Sequence, residues 1–404
     1  MALRRLSRAL ALTWLLALAA PAASAQDRAI DLEKAVAAAQ KGDLATAEPL
    51  LRELAVDNDE AAAWLGTILI QRGGDDSVGE GMILLRRAAF AGNTRAKYAL
   101  AFQYLTGVGT NRDDTEAVRL FREAADGGIA RAAYNLGLMH AAGRGVPRDP
   151  AQALTWYERA SKAGDPYGTY AWARALETSP QAAQRWSEIA ALYLGAAKAG
   201  HVPAAVRYGA MLLEGRGVGR DRARAEFWLR HAADQGYPEA ALLMGDLFGQ
   251  SAMGRTGRQQ EEAARNAAAW YLRAAEAGVA MAQAKLGNCY FAGAGVERDF
   301  PTAQRWYRRA AEQGFADAQY VLGIWLSGGV AGTTDPVEGY RWLALAERQG
   351  HSNAAKVRAR AAEKLTQDQV QRGEHAALSF ISKPERPLSV DDEAPPLRPP
   401  SKVP

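Results

Sequence analysis

The chain contains 404 residues, of which 48% are hydrophobic and 23% are charged, and it has one cysteine. A single cysteine excludes an intramolecular disulfide, so packing must stabilise the fold. The formal net charge is +4, but Arg4, Arg5 and Arg8 supply three of these charges, which leaves +1 for the rest of the chain. The remaining lysines and arginines are dispersed, which argues against nucleic-acid binding because that function needs a basic face or stripe.

Residues 1–25 have the pattern of a secretory signal peptide. A basic start is followed by the apolar run Ala9–Ala20 and by the small-residue cleavage site Ala23-Ser24-Ala25. An uncleaved anchor is the alternative, but the apolar run is shorter than the ~20 residues that a spanning helix needs. We predict cleavage after Ala25, no integral membrane span afterwards, and a periplasmic or secreted protein.

Helix pairs are predicted from residue 26 almost to the C-terminus. Residues 26–59 hold two helical patterns without a glycine loop and are predicted to form an N-terminal capping hairpin. From 60 to 352 one helix–loop–helix pattern recurs, and repetition at this spacing indicates a solenoid. Each copy closes on a glycine, and these glycines are 36 residues apart except for one interval of 42: Gly92, Gly128, Gly164, Gly200, Gly236, Gly278, Gly314 and Gly350.

Three further columns keep the same register in most copies. A Gly-x-Gly loop joins the two helices, an aspartate follows the loop, and a tryptophan lies in the second helix. The aspartates are typical of helix N-caps and the loop glycines of backbone that side chains resist, while the tryptophans are predicted to pack between neighbouring hairpins. Two clear copies carry Gly143/Gly145, Asp149 and Trp156, and Gly293/Gly295, Asp299 and Trp306.

Four segments depart from this pattern. The copy that closes on Gly200 lacks the Gly-x-Gly loop, and the copy over 240–278 has six extra residues near Gly254–Asn266, predicted to form a longer loop or a helix extension. Residues 353–381 are predicted to form C-terminal capping helices. From 382 to 404 the chain is proline-rich and is expected to be disordered, because it cannot bury enough apolar surface.

The repeated motif L-G-x-x-Y/H-x-x-G-x-G-V-x-x-D-x-x-x-A-x-x-W-Y-x-x-A-A-x-x-G resembles the Sel1-like repeat, a relative of the tetratricopeptide repeat. The resemblance implies an all-α fold, an α/α solenoid or superhelix of about eight to nine helix–loop–helix repeats. Most members are protein-binding adaptors. Similar exported proteins act as envelope adaptors, hold a sensor ectodomain or assist exopolysaccharide assembly, so the expected partner is an envelope protein or a sensor ectodomain.

Two other functions stay open from the sequence. Cysteine-rich Sel1-like proteins are described as cell-wall or β-lactam hydrolases, but this chain has neither cysteine pairs nor a G-x-S-x-G serine motif. The tryptophans could instead bind carbohydrate or exopolysaccharide. The aspartates lie too far apart for a shared site, and Cys289 falls in an apolar column with Met139 and Met211. We therefore predict a non-enzymatic protein without cofactor or metal.

One stripe of the first helices varies while its neighbours stay fixed. Its residues lie at i, i+4, i+7 and i+11, which places them on one helical face. By analogy with related solenoids the first helices line the concave surface, so we predict that the stripe forms a partner-binding groove; an ordinary solvated face is the alternative. The groove residues are Arg95, Phe102, Arg131, Asn135, Arg207, Glu214, Lys285, Asn288 and Ile324.

Overall fold

The structure, a computed structural model, describes residues 25–329 and 334–385. Every regular element in these ranges is an α-helix, which confirms the all-α prediction for them. The proposed signal sequence up to residue 24 and the proline-rich residues from 386 onward lie outside the described ranges. Among the described helices, none combines the length and the hydropathy that crossing a bilayer requires.

The helices fall into two compact units that meet in the chain after Ala163, inside the expected repeat region 60–352. Unit 1 is defined here by its described residues, 25–163, and unit 2 by residues 164–385. The helices of unit 1 are α1 (Ala25–Lys41), α2 (Leu44–Leu54), α3 (Asp59–Arg72), α4 (Asp75–Phe90), α5 (Thr94–Thr106), α6 (Asp114–Asp126), α7 (Ala130–Ala142) and α8 (Pro150–Lys162).

Unit 2 continues the same alternation of first and second helices. Within each unit the two helices of a hairpin pack together, and the second helix also contacts the first helix of the next hairpin, as in an α/α solenoid. Its helices are α9 (Pro166–Glu177), α10 (Ala182–Lys198), α11 (Val202–Glu214), α12 (Arg222–Asp234), α13 (Pro238–Met253), α14 (Gly257–Glu276), α15 (Ala280–Ala292), α16 (Phe300–Glu312), α17 (Ala316–Gly328), α18 (Pro336–Arg348), α19 (Ala354–Ala362) and α20 (Gln367–Leu378).

The two glycines of the loop have different physical roles. The first ends its helix in the left-handed conformation, with φ of +69° at Gly143 and +71° at Gly293. The second lies against the preceding hairpin, because a Cβ on Gly145 would be 2.2 Å from the carbonyl oxygen of Asp114. The loop sequence therefore serves both the helix end and the close approach of neighbouring repeats.

The aspartate column caps the second helix in five of the described hairpins, as predicted for this column. The Asp149 carboxylate accepts hydrogen bonds from the backbone amides of Ala151 and Gln152, both at 3.0 Å. These amides have no partner within the helix, so the carboxylate satisfies them. The same capping bond forms at the other members of the column, Asp113, Asp221, Asp299 and Asp335.

A glycine inside the first helix makes room for a tyrosine from the second. A Cβ on Gly245 would be 2.4 Å from the ring of Tyr271, and one on Gly287 would be 2.9 Å from the ring of Tyr307. These distances are too short for any carbon contact, so the glycine at this position of the repeat, the G of L-G in the motif, is a packing requirement. It lets the second-helix tyrosine cross toward the surface formed by the first helices.

The irregular segments also resolve into helices. The six extra residues lengthen both members of one hairpin, since α13 has 16 residues and α14 has 20, against 13 in α15 and α16. At the C-terminal end, Thr366 and Gln369 form a capping box that starts α20. The prediction of a disordered tail is wrong for residues 382–385. In this segment the Lys383 amide donates to the Glu312 carbonyl at 2.8 Å, and Glu385 pairs with Arg309.

Candidate functional site

In unit 1, Phe102 is buried and does not line an exposed groove as predicted. Its side chain is only 3% exposed and contacts the rings of Tyr98 and Phe121, at centroid distances of 5.1 and 5.3 Å. Edge-to-face packing of this kind belongs to a core. The sequence stripe was wrong here, since Phe102 stabilises the α5–α6 hairpin and offers little surface to a partner.

Asn135 is likewise buried, with 3% of its surface exposed, and its amide nitrogen has no hydrogen-bond partner. It therefore cannot serve as an open groove residue in this conformation. Arg95 is half-buried and engaged, because its Nε lies 2.8 Å from the Glu60 carboxylate and its guanidinium lies over the Trp64 ring at 4.3 Å. Arg131 approaches the ring of Tyr134 at 6.0 Å.

In unit 2 the predicted groove residues Lys285 and Asn288 lie on the same face of the first helices as Asp246. We call these three side chains the polar row. Lys285 on α15 places its Nζ 2.7 Å from the Asp246 carboxylate on α13. The same carboxylate accepts a hydrogen bond from the Tyr271 hydroxyl at 2.7 Å. Burial, together with this bond, raises the pKa of Tyr271, so the hydroxyl keeps its proton and remains a donor. The three side chains hold each other in one arrangement.

One turn further along α15, Asn288 is fixed in a similar way. Its Oδ1 accepts a hydrogen bond from the Tyr307 hydroxyl at 2.6 Å, and the residue as a whole is exposed. Ile324 occupies the same column in α17 and is 36% exposed. Glu214, at the end of α11, pairs with Arg216 in the following loop at 2.7 Å.

Sequence reasoning missed two acidic residues of the first helices that bind a second-helix tyrosine. Asp246 lies in the column of Asn288 and Ile324, and Glu177 at the end of α9 accepts the Tyr193 hydroxyl at 2.6 Å. Both belong to the irregular copies, which were left out of the column comparison. Aligning those copies on their closing glycines would have placed Asp246 in the stripe.

The arrangement suits recognition by polar contacts. Tyrosine hydroxyls from second helices orient carboxylates and an amide on first helices, and the cations Arg207 and Lys285 lie in the same stripe. Within the described residues, no three His, Cys, Asp or Glu side chains are grouped so as to hold a metal ion. Cys289 is buried, and burial raises the pKa of its thiol to about 11, so it is not a ready nucleophile.

Among the second-helix tryptophans, which were predicted to pack between neighbouring hairpins, Trp342 is fully buried. Trp156, Trp270 and Trp306 are half-buried, and each has an arginine guanidinium over its ring. For Trp306 the partner is Arg309, at 4.5 Å from the ring centroid. These cation–π contacts cover a ring face on which a sugar would stack.

Comparison with known proteins agrees with the repeat geometry. The Sel1 repeat matches residues 94–129, 130–165, 202–237, 238–279, 280–315 and 316–351, which is more than half of the chain. The chain belongs to the Sel1 repeat family. The hairpins of residues 59–90 and 166–198 fall outside these matches, and both lack the regular Gly-x-Gly loop.

Two solved Sel1 proteins are similar to this one. The structure of c5321, a protective antigen of uropathogenic Escherichia coli with an SLR fold, is 25% identical, with a TM-score of 0.74, covering 88% of this chain and 77% of its own. A Sel1 repeat protein from Oxalobacter formigenes is 31% identical, with a TM-score of 0.57, covering 76% and 88%. Among curated proteins, none matches the sequence. The Sel1 fold is a general scaffold for protein interaction.

Proposed function

We propose that this Sel1 protein is an exported scaffold that binds a partner protein on the first-helix face of unit 2. The observation that carries the proposal is the fixed polar row formed by Lys285, Asp246 and Asn288. Tyrosine hydroxyls hold two of these side chains at 2.6 and 2.7 Å. Side chains that are already ordered lose little entropy on binding, so such a row favours specific association.

The side chains on this face indicate which chemical groups the partner surface should carry. Arg207 and Lys285 supply positive charge, Asp246 supplies negative charge, and the exposed Ile324 supplies an apolar contact. A mixed surface of this kind fits a folded domain or an extended segment of an envelope protein or sensor ectodomain, with charges of both signs around an apolar residue.

Affinity capture from an envelope extract tests this surface. The mature chain carrying Arg207→Glu and Ile324→Asp should recover its partner at least about tenfold less than the wild type, because it loses a charge and an apolar contact at the same face. The matched control is Arg265→Glu with Arg305→Glu, which alters exposed second-helix residues. If both variants capture as much partner as the wild type, with unchanged circular dichroism, the first-helix face is not the binding site.

Export and the absence of catalysis are part of the same proposal. The signal pattern of residues 1–25 supports export, and the N-terminal sequence of the protein isolated from the envelope should then begin at Gln26. Turnover of a chromogenic β-lactam or of cell-wall fragments by the purified protein would instead favour the hydrolase alternative.

A further inference from the structure

The residues that follow the last helix return to the repeats. After α20 ends at Leu378, Phe380 is half-buried against the core around Trp342, with ring centroids 5.6 Å apart. The Arg341 guanidinium lies near both rings, at 4.7 Å from Trp342 and 5.5 Å from Phe380. The neighbouring Ile381 is 81% exposed, so Phe380 alone anchors this end of the segment. We call residues 380–385 the C-terminal latch.

The other end of the latch is held by polar contacts. The Lys383 amide donates to the Glu312 carbonyl at 2.8 Å, and the Glu385 amide donates to Gln313 Oε1 at 3.3 Å. Ser382 passes over the closing turn, where its Cβ would be 3.4 Å from a Cβ on Gly314. Main-chain contacts of this type accept an extended peptide and are largely independent of its sequence.

The Glu385 carboxylate supplies the specific contact. It accepts two hydrogen bonds from Arg309, at 2.9 and 2.5 Å, and a third from the buried amide of Gln283 at 2.9 Å. The bidentate bonds from Arg309 hold the pKa of Glu385 below its usual value, against the opposing effect of burial. A planar guanidinium and a buried amide that converge on one carboxylate form a built site for that group.

Arg309 makes a different contact from its counterparts in other repeats. Arg159 and Arg273 occupy the same position and bond to the end of the preceding second helix, through Asp126 and Asp234 respectively. Arg309 turns instead to Glu385. The Gln313 side-chain amide donates to Gln283 Oε1 at 2.8 Å. One repeat later Gln349 donates to Gln319 in the same way, but the arginine position is Leu345. Among these described copies, the one formed by Gln283, Arg309 and Gln313 combines the arginine with the glutamine pair.

We propose that this surface is a second protein-binding site, which the C-terminal latch occupies in cis. Its external ligand is an extended segment of a partner protein with an aromatic residue at one position and a glutamate five positions later, the spacing of Phe380 and Glu385. The aromatic ring packs on Trp342 and Arg341, and the glutamate binds Arg309 and Gln283. A partner must displace the latch, so the tethered segment sets a threshold for binding.

Fluorescence anisotropy on the full chain tests the proposal with a labelled peptide of residues 376–388, A-A-L-S-F-I-S-K-P-E-R-P-L. The vacated variant, Phe380→Ala with Glu385→Ala, should bind the peptide at least about tenfold more tightly than the wild type, because its tethered segment has lost the ring and the carboxylate with which it competes. Adding Arg309→Glu should reduce this binding at least about tenfold, because the carboxylate then faces a like charge. Arg305→Glu, the same charge change on the same helix, is the control and should leave binding unchanged.

Glu385→Ala alone replaces the vacated variant if the loss of Phe380 impairs folding, as judged by circular dichroism. The proposal is overturned if the vacated chain does not bind the peptide, if it binds no more tightly than the wild type, or if Arg309→Glu has no effect. The first-helix variant Arg207→Glu with Ile324→Asp should bind the peptide normally, so failure of one binding site is distinguishable from failure of the other.

Discussion

At the scale of single residues, the glycines within first helices are the positions where one methyl group has the largest effect. Gly245→Ala would place a Cβ 2.4 Å from the ring of Tyr271, the residue whose hydroxyl donates to Asp246, so this ring must shift. Overpacking of this kind costs about 1–3 kcal/mol. We expect a lower urea midpoint for the full chain, measured by circular dichroism.

Gly195→Ala is the matched control in the same unit. Gly195 is an exposed residue of α10, and a Cβ there would have no neighbour within 4 Å. Alanine is favoured over glycine in a helix by roughly 0.5–1 kcal/mol, so this variant should raise the urea midpoint. Equal shifts in the same direction for both variants would contradict the packing role assigned to Gly245.

Residue-scale patterns were predictable where local backbone geometry sets them. The loop glycines and the Asp149 cap are readable because a left-handed turn and an open amide each demand a particular residue type. The burial of Phe102 and Asn135 was not, since helical periodicity defines a face but does not say what covers it. Asp246 was missed because the enlarged copy was not aligned with its regular neighbours.

At the scale of elements, Asp114 links one repeat to the loop of the next. It begins α6 and accepts hydrogen bonds from Arg112 beside it and from Arg144 in the following loop, at 2.7 and 3.1 Å for the shorter bonds. The bonds from Arg112 contribute most, and with Arg144 they lower the pKa of Asp114 from 3.8 to about 2, against a smaller effect of burial.

This depressed pKa predicts an acid-dependent loss of stability. Asp114 binds its proton more weakly in the folded chain, so its contribution is complete above the unfolded pKa of 3.8 and is lost as the pH falls toward about 2. Because the cluster faces solvent, the contribution should be below about 1 kcal/mol. The gap in urea midpoint between the wild type and Asp114→Asn should therefore narrow over this pH range.

Asp368→Asn is the control for that measurement, since it removes the same charge from an exposed pair with Arg372. A gap between the wild type and Asp114→Asn that stays constant from neutral pH to pH ~2 would contradict the role given to the Arg112–Asp114–Arg144 contact. If the difference in urea midpoint between the wild type and Asp368→Asn narrows equally, we would attribute the effect to general charge repulsion.

At the scale of the whole molecule, the period of the sequence predicted the fold because each hairpin repeats one solution to the same packing problem. The closing glycines alone place most hairpins, from Gly92 to Gly350. The structure adds contacts that occur in a single repeat, which a periodic sequence pattern cannot predict. The return of Glu385 to Arg309 joins residues 76 positions apart, and no periodic signal marks it.

The single thiol of the protein, Cys289, makes the local opening of its hairpin measurable. Cys289 lies inside α15 with 8% of its surface exposed, and burial raises the pKa of its thiol to about 11. An accessible Cys289 thiolate attacks an alkylating reagent, whereas the buried thiol does not. Alkylation of the native chain should therefore require local opening of this hairpin, so its rate reports that opening without an engineered label.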